Sequence, residues 1–333
     1  MAIRVSRSRE SLPEAAPQRA QEPCDRDMTP TSLKIGTRGS PLALAQAHET
    51  RRLLAVAHDC EIGRFEIIII RTSGDMIQDR ALSEAGGKGL FTKEIDAAML
   101  KGEIDIAVHS SKDLPTVLPD GIVIAGYLPR EDVRDALISA CSDTVVGLPR
   151  GGTLGTASLR RQAQVKRLRP DLQVGLLRGN VETRLGKAER GEIDATLLAY
   201  AGLKRLGLAH RATALLDIDA FLPAVGQGAI GLTARSGDAV ANDAIAPLLD
   251  ASTGYALAVE RAFLAVLDGS CRTPIAGHAR VVDGALDFRG MVLRVDGSET
   301  FEVGARGGVT EAASLGNEAG HDLLSRLPAG VLP

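Results

Sequence analysis

The stretch LKIGTRGSPLALAQAHETRRLLAVA, residues 33–57, contains a short apolar strand that runs directly into a helix. Ser40 and Pro41 suit the N-cap and first helical position, where the missing proline N–H costs nothing. Short apolar segments followed by helical ones recur down the chain, for example at residues 104–109 and 195–199. This alternation predicts an α/β fold with largely parallel sheets.

The beginning of this stretch has a counterpart in the middle of the chain. Residues 35–42, IGTRGSPL, resemble residues 154–159, LGTASL, and GEID occurs at both 102–105 and 191–194. Because the order of the motifs is the same in both halves, they predict two similarly wound lobes. The apolar strand at residues 229–234 could then return to the first lobe.

The C-terminal part of the chain has a different pattern. A long helix is predicted at about residues 252–267, followed by strands that the turn dipeptides Asp-Gly at 283–284 and 296–297 separate. A final helix at about residues 311–327 would cover one face of this sheet. The pattern predicts a separate α+β domain.

The overall composition excludes several classes of function. The chain has 39 Lys and Arg against 42 Asp and Glu, a net charge of −3, which argues against a globally basic nucleic-acid binder. Aromatic residues make up 3% and Trp is absent, so a base-stacking surface is not expected. No apolar run approaches the roughly 18 residues of a membrane span. We therefore expect neither nucleic acid nor a membrane as partner, and any charge-based function must come from local clusters.

The N-terminal segment and the cysteines predict a cytoplasmic protein. Residues 1–27 carry five arginines and five acids and lack the apolar core of a secretory signal, which predicts disorder. Met28 lies just before the first predicted strand, so an annotated start too far upstream is plausible. The histidines and cysteines show no ligand spacing, so no metal site is expected. The cysteines are Cys24, Cys60, Cys141 and Cys271.

Three strand-to-helix junctions carry arginines and small polar residues. Ligands of open parallel sheets bind beyond the carboxyl ends of the strands, where the next helix offers free N–H groups to an anion. A guanidinium there matches a carboxylate bidentately, so the junctions predict a polyanionic small ligand. The alternative is that each arginine lies on a solvated helix face. The residues are Arg38 and Ser40; Thr156, Ser158, Arg160 and Arg161; and Arg178, Asn180 and Arg184.

Two further features could carry chemistry. Lys112 and Asp113 follow an apolar strand, where they could transfer protons and stabilise a cation, or could form an ordinary exposed ion pair. Cys271 lies beside Arg272, which favours a nucleophilic thiolate, although free cysteines are usually small buried apolar residues. Residue chemistry alone leaves both alternatives open.

Seven segments, taken together and in order, resemble the porphobilinogen deaminase family. They are GTRGSPLA at 36–43, GGKGLF at 86–91, HSSKDLP at 109–115, GTASLRRQ at 155–162, LRGNVETR at 177–184, AGLKRLG at 201–207 and LPAVGQGA at 222–229.

The resemblance implies two lobes like those of type II periplasmic binding proteins, with mainly parallel sheets, plus a small C-terminal α+β domain. The expected division has four parts. They are a disordered extension at 1–32, a first domain at 33–130 and 224–248, a second at 131–223 and a third at 249–333.

The resemblance also implies an enzyme, a transferase of tetrapyrrole biosynthesis. Such enzymes join four porphobilinogen molecules head to tail onto a covalently bound dipyrromethane primer, release four ammonia molecules, and free hydroxymethylbilane with water. The primer would be attached through Cys271, and a monomer is expected.

The same resemblance gives roles to individual residues. Asp113 is the candidate catalytic carboxylate, since a carboxylate beside the azafulvenium cation formed on loss of ammonia stabilises it. Lys112 would hold the acidic arms of the primer, and Lys88 with Phe91 would belong to a flap. Asp75 and Gln227 are further candidate binding residues. The acetate and propionate arms of the pyrroles would be bound by Arg38, Arg160, Arg161, Arg178, Arg184 and Arg205, with Ser40, Ser110, Thr156 and Ser158 as hydroxyl partners.

A rival interpretation is a non-catalytic, two-lobed module that binds anions. It explains the arginines but explains neither Lys112 and Asp113 nor Cys271. An exported solute receptor would also need a signal sequence.

Overall fold

The computed structural model describes residues 32–76, 89–267, 269 and 273–332. Lys88, Cys271 and all of the predicted N-terminal extension except Ser32 lie outside these residues.

The described residues form strands grouped in three sheets. The strands are β1 (Leu33–Arg38), β2 (Phe65–Ile70), β3 (Ile106–Ser110), β4 (Ile122–Tyr127), β5 (Asp135–Ser139), β6 (Thr153–Gly155), β7 (Gln173–Gly175), β8 (Ala195–Ala199), β9 (Ala214–Leu215), β10 (Ile230–Arg235), β11 (Ile275–Val282), β12 (Ala285–Leu293) and β13 (Thr300–Gly308).

Helices connect and cover these strands. They are α1 (Pro41–Ala57), α2 (Ser73–Met76), α3 (Lys93–Leu100), α4 (Leu159–Leu168), α5 (Val181–Glu189), α6 (Tyr200–Arg205), α7 (Ala239–Ile245), α8 (Ala251–Val266) and α9 (Ala312–Arg326).

The first two sheets have the same arrangement. Their orders are β2-β1-β3-β10-β4 and β7-β6-β8-β5-β9. In each, three parallel strands are followed by one antiparallel strand, β10 in the first sheet and β5 in the second. β1 and β6, which carry the two echoing motifs, occupy the same position. The predicted α/β fold with two similarly wound lobes is confirmed, and we call the first and second sheets with their helices the first and second lobes.

The strand predicted at residues 229–234 is β10, which lies between β3 and β4 of the first sheet. Two of its residues, Ile230 and Leu232, are fully buried. The chain therefore leaves the first lobe after β4, builds the second, and returns. The predicted domain boundaries remain predictions.

The opening strand and helix form as their sequence predicts. Ser40 is the N-cap of α1 and its Oγ accepts a hydrogen bond from the Ala43 N–H at 3.3 Å, with Pro41 in the first turn. Ile35 and Leu54 are fully buried between β1 and α1 in the core of the first lobe. This packing fixes the start of α1 at the carboxyl end of β1.

One predicted strand is shorter than expected. The sequence LQVGLL at residues 172–177 is typical of a strand of that length, but β7 covers only Gln173–Gly175. β7 is the edge strand of its sheet, and Leu176 beyond it is 54% exposed. The apolar pattern therefore continued past the point where backbone pairing ends.

The C-terminal part is an antiparallel sheet, β11-β12-β13, packed against α8 and α9. Phe263 of α8 meets Phe288 of β12 edge to face, with ring centroids 5.0 Å apart. The predicted α+β domain is confirmed. No helix in the described part of the chain is long and apolar enough to cross a membrane.

Candidate active-site cleft

A large cleft, about 1530 Å³ in volume, is lined by segments of both lobes and of the C-terminal domain. One side of the cleft is lined by the residues that follow β1, β2 and β3, and the other side by the first residues of α4 and α5. Ligand pockets commonly have volumes of about 300–1,000 Å³, so this cleft suits a ligand of several linked rings.

In the first lobe, one arginine lies between two carboxylates. The Arg38 guanidinium donates hydrogen bonds to both carboxylate oxygens of Asp75, with Nε 3.2 Å from Oδ2, and its Nη1 is 3.6 Å from Oδ2 of Asp113. Its charged carbon lies 4.0 Å from the centroid of the Phe91 ring. Arg38 is thereby held in one position at the cleft wall.

Asp75 is paired more tightly than Asp113. Burial alone would raise the pKa of Asp75, but the hydrogen bonds and charge of Arg38 and a bond from the Thr72 hydroxyl at 2.8 Å lower it below 3.8. The two side chains are equally exposed, at 31% and 30%, but Asp113 has only the longer contact with Arg38. Of the two carboxylates, Asp113 is the more available to a ligand.

The segment that carries Asp75 is fixed to the segment that carries Phe91. The Gly74 N–H donates to the Leu90 carbonyl at 2.9 Å, and Glu94 accepts hydrogen bonds from the Ser73 backbone and hydroxyl. A Cβ on Gly74 would lie 2.5 Å from the Phe91 ring, so only glycine permits this contact.

Lys112 and Asp113 form a short 3-10 turn, Ser111–Asp113, at the end of β3. Their charged groups make no ion pair with each other among the described residues. Lys112 is exposed to the solvent of the cleft although protein walls surround it. This enclosure, followed by the charge of Arg161, lowers the pKa of Lys112 below 10.5, and Asp113 and Asp135 oppose the shift.

In the second lobe, one buried carboxylate lies between two arginines. Asp135 is 0% exposed, and its oxygens are 2.8 Å from Nη2 of Arg160 and 2.6 Å from Nη2 of Arg161. Gln227 also donates to it at 3.2 Å. Burial alone would raise the pKa of Asp135, but Arg160 and Arg161 lower it to about 2. Asp135, Arg160 and Arg161 together therefore carry one net positive charge at the cleft wall.

These two arginines have other buried partners as well. Arg160 donates to the Leu222 carbonyl at 2.8 Å and Arg161 to the Leu197 carbonyl at 2.8 Å. Both lie in the first turn of α4. The N-cap of this helix is Ser158, whose Oγ accepts a hydrogen bond from the Arg161 N–H at 3.4 Å. Most of their donors are therefore used inside the protein, which the sequence prediction of open carboxylate-binding arginines did not anticipate.

The third junction also presents two arginines to the cleft. Asn180 caps α5 by accepting from the Thr183 N–H at 2.8 Å, and Arg184 donates to the Gly179 carbonyl at 2.9 Å. Arg178 and Arg184 both line the cleft. Burial and then the charges of Arg161 and Arg178 lower the pKa of Arg184 to about 10, so it stays protonated at neutral pH.

Thirteen of the residues predicted for the site line the cleft, and two described ones do not. Thr156 uses its hydroxyl to accept from the Ser158 N–H at 3.1 Å. Arg205 is bonded to Glu49 at 3.3 Å and to the Gly228 carbonyl at 3.0 Å, away from the cleft. Those that line it are Arg38, Ser40, Asp75, Phe91, Ser110, Lys112, Asp113, Ser158, Arg160, Arg161, Arg178, Arg184 and Gln227.

Sequence reasoning missed the carboxylate that organises the second lobe. Asp135 opens β5, whose next three residues are fully or nearly fully buried. An acid at the start of such an apolar run requires a buried cation. That signal, together with two consecutive arginines, could have predicted the contact.

Two described residues frame the loop of the predicted attachment cysteine. Gly269 and Thr273 both line the cleft, and Cys271 itself lies outside the described residues. The C-terminal domain therefore reaches the same cleft as the two lobes.

Comparisons with known proteins agree over nearly the whole chain. The family model "Porphobilinogen deaminase, dipyromethane cofactor binding domain" matches residues 33–243, and "Porphobilinogen deaminase, C-terminal domain" matches residues 255–325. A porphobilinogen deaminase of Nitrobacter winogradskyi is 58% identical over 300 residues, covering 90% of this chain and 95% of that protein. One of Nitrobacter hamburgensis is 57% identical over 292 residues, covering 88% and 92%.

The solved structures that match the chain include a nutrient-binding protein from Burkholderia cenocepacia bound to methionine. It shares 13% identity, and the match covers 64% of this chain and 90% of that one with a TM-score of 0.39.

Proposed function

The chain belongs to the porphobilinogen deaminase family, and we propose that its cleft carries out the family's reaction with Asp113 as the catalytic carboxylate. The protein is a hydroxymethylbilane synthase. It condenses four porphobilinogen molecules head to tail onto a dipyrromethane primer and releases hydroxymethylbilane for tetrapyrrole biosynthesis.

The donor groups of the cleft fit a dipyrromethane. Its pyrroles carry acetate and propionate arms, and the cleft offers guanidinium and ammonium groups from both lobes. Arg178, Arg184 and Lys112 would hold these arms, since all three line the cleft. Cys271 would provide the covalent attachment. When bound, the dipyrromethane supplies the nucleophilic pyrrole carbon to which the first substrate is joined.

The other candidate residues have supporting roles in this proposal. Arg160 and Arg161 with Asp135 provide a fixed positive charge at the wall. Ser40, Ser110 and Ser158 offer hydroxyls, and Gln227 has a buried Oε1 without a hydrogen-bond partner among the described residues. Phe91, Asp75 and Arg38 form the opposite wall.

Asp113 is suited to the chemistry of the substrate. Porphobilinogen loses its protonated aminomethyl group as ammonia when the C–N bond breaks and its electron pair stays on nitrogen. The cation that forms on the pyrrole is stabilised by a nearby carboxylate, which can later accept the proton lost from the coupling carbon. Asp113, whose side chain is partly exposed and lies 3.6 Å from Arg38, can do both.

One observation carries the proposal, namely that the partly exposed carboxylate of Asp113 and the cations Lys112 and Arg184 line the same cleft from different lobes. The rival solute-binding module would use the cations but not Asp113. Family membership and the position of Asp113 together favour the enzyme.

Intact mass and turnover test the attachment. The wild-type protein is expected to be heavier than its chain by one attached primer and to convert porphobilinogen. Cys271→Ser is expected to have the bare chain mass and no turnover. Cys141→Ser removes an exposed cysteine and is the matched control, with mass addition and turnover retained. Full turnover by Cys271→Ser would contradict the attachment.

The transferase assignment follows from the same reaction, since a pyrrolylmethyl group is transferred to a carbon acceptor. A cytoplasmic location, a monomeric state and the absence of a nucleic-acid partner belong to the proposal as well.

A further inference from the structure

An arginine of the C-terminal domain contacts the segment that follows Asp113. Arg261 lies on α8, and its Nη2 donates hydrogen bonds to the Pro115 carbonyl at 2.7 Å and to the Thr116 carbonyl at 3.1 Å. Pro115 and Thr116 line the cleft, whereas Arg261 is not among the described residues that line it. Arg261 therefore holds the backbone of the cleft wall without being part of that wall.

This contact is the polar anchor of the segment. No other donor in the described part of the chain bonds the Pro115 or Thr116 carbonyl. Proline has no backbone N–H to offer, and strand pairing resumes only at Ile122, the first residue of β4. The backbone that leaves the turn Ser111–Asp113 is therefore fixed in its polar contacts by one side chain of another domain.

An ion pair does not explain Arg261. Its guanidinium is partly buried and pairs with no carboxylate that the structure describes. Burial lowers the pKa of Arg261 below 12.5, and Tyr127 opposes this shift. A cation taken out of water needs hydrogen bonds in return, and the two carbonyls supply them. The position of this charge is accounted for by the segment after Asp113.

The neighbouring residue of α8 holds the other end of the same turn. The Gly226 N–H donates a hydrogen bond to Glu260 Oε2 at 2.7 Å. Gly226 in turn packs against the turn, because a Cβ on it would lie 3.0 Å from the Lys112 backbone nitrogen. Two consecutive residues of α8 thus restrain the turn, Arg261 directly and Glu260 through Gly226.

The same helix leads into the loop of the proposed tether. Leu264, three residues after Arg261, lines the cleft, and so does Gly269, whose N–H donates to the Leu264 carbonyl at 2.9 Å. Cys271 follows two residues later. One helix therefore contacts the turn of Asp113 and continues into the loop that would carry the growing chain.

We propose that Arg261 is a positioning residue that fixes the Asp113 carboxylate relative to the tether loop during each addition. The inference rests on the proposed function. A displacement of about 1 Å at a reacting group can cost about 100-fold in rate. Because Arg261 holds backbone and not ligand, its loss should lower kcat and leave KM unchanged.

Arg261→Met tests this role, since it keeps the length of the side chain and removes both hydrogen bonds. We expect kcat to fall about 10- to 100-fold, KM for porphobilinogen to stay within about twofold, and the primer to remain attached. Arg261→Lys restores a charged donor and is expected to recover most of the lost kcat. Steady-state kinetics and intact mass measure these quantities. A raised KM with unchanged kcat, or no recovery in Arg261→Lys, would overturn the proposal.

A double variant shows whether Arg261 acts through Asp113. In an Asp113→Asn background, Arg261→Met is expected to slow the addition of units by less than about twofold. The amount of protein carrying each number of units, followed by intact mass after mixing with porphobilinogen, gives the rates. If the two changes instead slow addition independently, Arg261 acts on some other part of the protein and the proposal fails.

Arg167→Met is the matched control. Arg167 of the second lobe donates to the Ala220 carbonyl at 3.0 Å and to Glu302 of the C-terminal domain at 3.5 Å. It therefore links the C-terminal domain to a lobe at a place away from Asp113, and kcat should stay within about twofold. Equal losses of kcat in Arg167→Met and Arg261→Met would show that domain attachment in general is responsible, and would overturn the role of Arg261.

Hydrogen exchange supplies a readout that does not depend on turnover. The Leu114 amide donates to the Ser111 carbonyl at 3.1 Å and closes the turn. Its exchange is expected to be about tenfold faster in Arg261→Met than in wild type and unchanged in Arg167→Met. Unchanged exchange in Arg261→Met would contradict the proposal even if kcat falls.

Two further outcomes are distinguishable. If a thermal melt shows that Arg261→Met is unfolded, Arg261→Gln, with a shorter neutral side chain, takes its place with the same expected losses. If wild type adds no units, the proposed function fails, whereas faster exchange of the Leu114 amide would still establish that Arg261 holds the turn.

Discussion

The two lobes use the same residue types in opposite ratios. In the first, Arg38 lies between the carboxylates of Asp75 and Asp113, and these three side chains are 20%, 31% and 30% exposed. In the second, Asp135 lies between Arg160 and Arg161, and no side chain of this group is more than 6% exposed. The first group carries one net negative charge beside the cleft, and the second carries one net positive charge within its wall.

The difference indicates that arginine and aspartate can form a reactive group in one lobe and a group that stabilises the fold in the other. In the first lobe, a carboxylate shares its arginine with a second carboxylate and is in contact with solvent, so it can exchange protons with a ligand. A carboxylate buried between two guanidinium groups stays ionised, and its removal leaves two unpaired charges. We therefore expect changes in the first lobe to affect rates and changes in the second to affect stability.

The largest effect is expected from Asp113→Asn. Loss of a catalytic carboxylate typically costs about 10²–10⁴ in rate, so kcat is expected to fall by that range while the primer remains attached. Because Asp113 is partly exposed, the thermal midpoint should change little. Steady-state kinetics, intact mass and a thermal melt measure these quantities. Asp120→Asn, an exposed acid outside the cleft, is the control, and near-normal kcat in Asp113→Asn would refute the catalytic role.

Asp135→Ala is expected to act on stability. Removing one partner of a buried ion pair costs about 3–5 kcal/mol, because the remaining charges have no compensation. Urea unfolding measures the change in the free energy of unfolding. Glu192→Ala breaks an exposed pair with Arg190 and should cost far less. Equal losses in the two variants would show that burial does not distinguish the lobes.

The pH dependence of stability sharpens the same contrast. The folded pKa of Asp135, about 2, lies below its ordinary 3.8, so its contribution is fully present above pH 3.8 and is lost as pH falls toward 2. A shift of this size corresponds to roughly 2 kcal/mol. Urea unfolding of wild type between pH 5 and about pH 2.5 is expected to show a steeper loss than Asp135→Asn. Parallel curves would contradict the coupling.

The smallest effect on substrate binding is expected from Arg205→Ala. Arg205 is tied to Glu49 and the Gly228 carbonyl outside the cleft, so KM for porphobilinogen should stay within about twofold. Arg184→Ala, which alters the cleft wall, should raise KM about tenfold through loss of a charged hydrogen bond. Steady-state kinetics of the two variants decide between these roles, and an equal rise in KM would restore Arg205 to the binding set.

The order of local elements could largely be predicted from sequence. Strand and helix in residues 33–57 follow from apolar runs and a Ser-Pro start, which act over neighbouring residues. The return of β10 to the first sheet was only a possibility, since pairing across most of the chain leaves no local signal. The predicted length of β7 was wrong for a different reason, because an edge strand ends where its partner strand, here β6, ends.

The candidate site could be predicted as a set of residues but not as a network. The motifs bring Arg38, Arg161 and Asp113 to one cleft, yet they do not reveal which guanidinium is already neutralised. Asp135 was missed because it precedes an apolar strand instead of following one. Arg205 was included because its motif matched, although its side chain points to a different partner.

The position of β10 has a consequence for synthesis on the ribosome. β10 separates β3 from β4, so the first sheet lacks its fourth strand until residues 230–235 have emerged. By then the whole second sheet has left the exit tunnel and can fold with local partners only. The first lobe to be translated is thus the second to be completed, and a nascent chain arrested before residue 230 is expected to expose the edges of β3 and β4 to chaperones.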